Sequence, residues 1–114
     1  MIKKMSIVVK TQFEGLHLWS HAPSEVGFLR TPHRHIFYVE VEMEVSHDDR
    51  DLEFILVKRS IDNFLNNTDL EITVSCEQIA DMICKHVWLV YGKRAIKCCV
   101  YEDNENGGCV KYEG

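Results

Sequence analysis

The stretch TPHRHIFYVEVEMEV, Thr31–Val45, decides the fold. From Arg34 to Ser46 the residues alternate: His35, Phe37, Val39, Val41, Met43 and Val45 share one side, Arg34, Tyr38, Glu40, Glu42 and Glu44 the other. Successive side chains of a strand point to opposite faces, so this period of two predicts a half-buried β-strand. The same rule puts His33 and His35 on one face at the mouth of the strand, about 6–7 Å apart, within reach of a single metal ion.

Working outward, MSIVVKTQFEGLH, from Met5 to about His17, is rich in β-branched and aromatic residues and predicts a first strand, with Gly15 as a bulge. Between the two strands, the Pro, Ser and Gly of SHAPSEVGFLRTP predict a loop. Downstream, SHDDRD supplies a turn and the acids of a helix start. Leu52, Ile55, Leu56, Arg59, Ile61 and Leu65 then follow helical spacing up to Asn66-Asn67. A second helix begins at Ser75, with Gln78 completing a capping box and Ile79, Ile83, Val87 and Val90 forming its stripe until Gly92. The chain closes with a strand at AIKCCVYE, a turn at DNENGG with positive φ at its glycines, and a strand at CVKYE. The order ββααββ implies an α+β domain spanning residues 1–114, an antiparallel four-stranded sheet with both helices on one face.

Composition narrows the function. A net charge of -5 and no basic run longer than a pair such as Lys3-Lys4 argue against a nucleic-acid polymer held through its phosphates. No apolar run reaches the about 20 residues of a membrane span, and MIKKMSIVVKTQF lacks a signal-peptide core and cleavage site, so a cytoplasmic protein is expected. The five cysteines, Cys76, Cys84, Cys98, Cys99 and Cys109, are then expected to be reduced thiols acting as small buried hydrophobes.

Zinc takes three or four ligands, so a pair of histidines on one strand needs a third partner. His17, at the end of the first strand, supplies it if the two strands are neighbours, and His21 follows shortly after. Three histidines with one open position describe a catalytic rather than a structural zinc. The same spacing also fits ordinary solvated or core histidines.

Taken in order, FEGLHLW, HRHIFYVEVEMEV, LEFILVKRSIDNFLN, VSCEQIADMI and CCVYEDNENGGCVKYEG resemble the segments of the 6-pyruvoyl-tetrahydropterin and 6-carboxytetrahydropterin synthases. The likeness implies their tunnelling fold, with His17, His33 and His35 as zinc ligands. It also implies Glu102 as the carboxylate that grips the edge of a pterin, or of a guanine-type ring, through paired hydrogen bonds, which are strong and directional. Glu77 matches a motif position too, and reads first as a helix N-terminal acid. The resemblance further implies a homo-oligomer, a hexamer of two trimers, in which sheet edges join into barrels.

Two features of that family are missing. Leu29 stands at the spacing of its catalytic cysteine, and NNTDLEITVS between the helices is shortened and holds no aspartate–histidine pair. Proton transfer by a positioned base contributes about 10²- to 10⁴-fold in rate, so turnover of a dihydroneopterin triphosphate-like substrate needs a substitute. His21, Asp69 and Cys76 are the candidates. The alternative is a non-catalytic protein that senses or sequesters a pterin or guanine-type nucleotide.

Overall fold

In the computed structural model, which describes residues 1–70 and 73–114, the alternating stretch forms strand β2, His33–Val45. It pairs antiparallel along its whole length with β1, Met5–His17, and on its other side with β3, Ala95–Glu102, which in turn pairs with β4, Gly107–Glu113. The sheet is a four-stranded antiparallel meander in the order β1-β2-β3-β4. Helix α1 (Phe54–Asn66) lies over β1, and helix α2 (Cys76–Tyr91) lies over β3 and β4. The α+β architecture and ββααββ order are those the sequence implies.

Register explains the core. Residues directly opposite one another in an antiparallel pair point to the same face, so Val9, Val41 and Cys98 form one row and Met43 and Ile96 another. These residues, with Phe37, Val39 and Val100, are buried beneath Val57 and Ile61 of α1 and Ile79, Ala80, Ile83, Cys84 and Val87 of α2. Fully burying a Val, Ile or Phe side chain contributes about 1.5–3 kcal/mol, so this shared face holds helices and sheet together. The opposite face carries Lys10, Glu40, Glu42 and Lys97.

Several local expectations are corrected. Gly15 is not a bulge: the β1–β2 ladder runs through it without interruption, pairing it with His35. The expected loop contains a 3-10 segment, Ser24–Arg30. On α1 the buried stripe is Val57, Ile61 and Leu65, whereas Ile55 and Leu56 are exposed. The helix starts at Phe54, with Glu53 Oε1 accepting from Ile55 N–H at 2.8 Å, and the i, i+4 row that follows is the one aimed at the sheet. The Ser75–Gln78 capping box forms as read, but Val90, the last residue but one of α2, faces outward. In the β3–β4 turn positive φ falls at Asp103 and Asn104, while Gly107 and Gly108 belong to β4.

The cysteines divide. Cys76, Cys84 and Cys98 are free and buried, while Cys99 and Cys109, directly opposite in the β3–β4 register, form a disulfide. The expectation of five reduced thiols fails for this pair, because pairing of the hairpin brings their Cα atoms to 4.0 Å. Among the described residues, no helix is long and apolar enough to cross a membrane.

Candidate metal centre

The helix-facing side of the sheet does not end with its apolar residues. At the corner where β1 finishes and β2 begins, His17 pairs with His33 and Gly15 with His35, so all three imidazoles emerge from that one face. Ring centroids are 4.7 Å apart for His17–His33, 4.6 Å for His33–His35 and 5.6 Å for His17–His35. One nitrogen from each lies within 4.8 Å of the others, so the group could hold a metal ion. Phe37 closes the floor, its centroid 5.9 Å from both His17 and His35. Gly15 leaves the room: a Cβ there would come within 3.2 Å of the Phe37 ring.

In each histidine one nitrogen faces an oxygen and the other has no partner. His33 Nδ1 lies 2.9 Å from the Thr31 carbonyl and His35 Nδ1 lies 2.7 Å from Asp103 Oδ2. Asp103 is itself anchored, its Oδ1 accepting from Ile36 N–H at 3.1 Å. His17 Nε2 faces Glu102 Oε1 at 3.3 Å. The remaining nitrogens, His17 Nδ1, His33 Nε2 and His35 Nε2, are buried without a hydrogen-bond partner. Although Glu102 Oε2 approaches His35 Nε2 to 3.3 Å, it is out of line for a hydrogen bond. Buried polar atoms are normally paired, and three orphaned nitrogens in one corner are a set that could serve as donors to a cation. Burial, above all, pulls the His17 pKa down; Glu102 opposes this, and His33 and His35 add to it. The neutral imidazole so favoured is the form that ligates.

Glu102 stands beside this group rather than in it. Opposite Phe37 at the end of β3, it shares the helix-facing side and lines a cleft of about 400 Å³ between β1, β3 and the start of α2. Trp19, Leu29, Cys76 and Glu77 line the same cleft. Cys76 Sγ points at Glu102 Oε1, 3.8 Å away. Burial, with the Glu102 and Glu77 carboxylates, pushes this thiol up to about 12, so it stays protonated at neutral pH and acts as a donor, not a base.

The other two proton-relay candidates are elsewhere. His21 and Asp69 are exposed and do not line the cleft, whereas Leu29 presents an apolar side chain to it. Sequence reasoning missed Asp103, which orients His35 and has its pKa lowered chiefly by that hydrogen bond and then by Ile36 N–H. Its only signal was a carboxylate next to Glu102 in a turn. In comparisons with known proteins, no family model matches this chain, and no curated protein matches it.

Proposed function

We propose that the protein binds one zinc ion through His17, His33 and His35 and uses Glu102 to hold a pterin or guanine-type ring in the adjoining cleft, as a binding protein of the 6-pyruvoyl/6-carboxytetrahydropterin synthase type. The observation that carries the reading is the convergence of three buried, unpartnered imidazole nitrogens, each on a ring whose other nitrogen faces an oxygen. Three imidazole nitrogens, two of them on rings backed by a carboxylate, suit zinc better than calcium or magnesium, which prefer oxygen ligands. Zinc bound there would supply a Lewis acid at the edge of the cleft.

The chain's own residues favour binding over turnover. With Leu29 in the cleft, Cys76 protonated, and His21 and Asp69 outside it, none of the three candidates supplies a base there. Glu102, with two oxygens and, among the described residues lining the cleft, no lysine or arginine beside it, can accept two parallel N–H bonds from an amino group and a ring nitrogen.

The test is calorimetry with neopterin and guanosine on zinc-loaded wild type and Glu102→Ala. Losing the bidentate contact should weaken binding by about 30- to 1000-fold while zinc content stays the same. Loss of zinc from Glu102→Ala would instead make Glu102 a fourth ligand, a reading favoured by its 3.3 Å approaches to His17 and His35. Rapid conversion of dihydroneopterin triphosphate would refute the binding-only reading.

Assembly belongs to the same proposal. The sheet order leaves β1 and β4 as edges, and closing them against other copies would give the barrel of a hexamer. Light scattering at micromolar concentration should report a symmetric oligomer; a monomer contradicts it.

A further inference from the structure

The charge lining the cleft narrows what can occupy it. Two carboxylates, Glu77 and Glu102, face it alongside apolar Trp19 and Leu29, and among the described residues that line it there is no lysine or arginine. Glu77 owes its place to a glycine. A Cβ on Gly108 would lie 2.4 Å from Glu77 Oε1, so the carboxylate rests against bare β4 backbone where any other residue would push it aside.

The start of α2 also opens here, and a helix N-terminus ordinarily attracts phosphate through its free N–H groups and positive dipole end. In this chain that demand is met in part. Ser75 Oγ accepts from Gln78 N–H at 3.1 Å, Ser75 N–H donates to Gln78 Oε1 at 2.8 Å, and Glu77 brings negative charge to the first turn. A divalent ion on the three histidines would be balanced by Glu77 and Glu102, leaving no surplus positive charge for a phosphate chain.

Resting on the ring-binding reading above, we propose that the cleft selects an uncharged, donor-rich heteroaromatic ligand without phosphate, a free pterin or a guanine nucleoside rather than its nucleotide, and that Glu77 is the residue that rejects the phosphorylated form. Specificity of this kind comes from a repulsive element as much as from an attractive one. Glu102 receives the ring's N–H edge; Glu77 adds a second acceptor for the ring or its side chain and opposes any anionic tail.

Calorimetry on the zinc-loaded full chain tests this with two pairs, neopterin against neopterin triphosphate and guanosine against GTP, in magnesium-free buffer. The unphosphorylated member of at least one pair should bind at least about tenfold more tightly. Glu77→Gln should narrow that gap several-fold, chiefly by improving the triphosphate. Gly108→Ala, which displaces Glu77 without removing it, should do the same, and Glu77→Gln decides the matter if that variant does not fold. Triphosphates that bind as tightly as the free compounds, or tighter, overturn this inference and leave the ring-binding reading standing. A gap unchanged in Glu77→Gln overturns the role of Glu77. Binding by none of the four compounds refutes both the inference and the reading beneath it.

Discussion

The two ends of one sheet face behave differently. From Phe37 to Val45 the helix-facing residues of β2 are apolar and lie under α1 and α2, Val41 and Met43 at 0% exposure. Two and four residues before Phe37 the same stripe continues as His35 and His33, half-buried, with orphaned nitrogens in place of packed methyl groups. Backbone geometry is the same at both ends; what differs is the cover. Where helices lie on the sheet, apolar side chains contribute burial energy. At the corner the neighbours are a loop, a turn and a cleft, and polar groups there have room to bind something.

The largest expected effect separates the two ends by their metal. Replacing both His33 and His35 with alanine should reduce zinc from about one ion per chain to background, because one remaining imidazole cannot hold the ion. The metal-free protein should stay folded and lose less stability than a core truncation costs, because the only bonds removed are those of His33 Nδ1 with the Thr31 carbonyl and of His35 Nδ1 with Asp103. Unchanged zinc content in metal analysis would break the comparison at its polar end.

The core end is tested by Ile83→Ala. Ile83, on the buried face of α2, is 0% exposed, and truncation should cost about 2–5 kcal/mol in chemical denaturation while the native protein still takes up zinc at full stoichiometry. A loss under about 1 kcal/mol would mean that α2 is not clamped to the sheet as described. Asp103→Ala sharpens the boundary between the ends. It removes the carboxylate behind His35 Nδ1 together with the bond that carboxylate accepts from Ile36 N–H, so zinc should bind about 10- to 100-fold more weakly by competitive chelator titration, with the histidines still in place. Unaltered affinity would make Asp103 a turn residue and nothing more.

The strands and the ββααββ order were legible because period two in β2 and the Ser75–Gln78 pair are local signals that tertiary packing did not override. The stripe of α1 was read less well. Ile55 and Leu56 are as apolar as Val57, and only the direction of the sheet decides which of them is buried. The histidines followed the same logic. The i, i+2 spacing of His33 and His35 guaranteed one shared face, but His17 joined them only through the Gly15–His35 register, and Asp103 only through a turn with positive φ. Cys99 and Cys109, ten residues apart, became partners by the same kind of register.

By itself, then, the sequence determined which residues alternate, which helix is capped and which face of β2 is apolar, since these depend on neighbours a few bonds away. Tertiary structure alone decided that His17 meets His33 and His35, that Cys76 is a buried donor instead of a base, that Gly108 seats Glu77 in the cleft, and that His21 and Asp69 lie outside it. Those outcomes depend on which distant backbone comes within a few ångströms, and pairing register and burial, not residue type, set that distance.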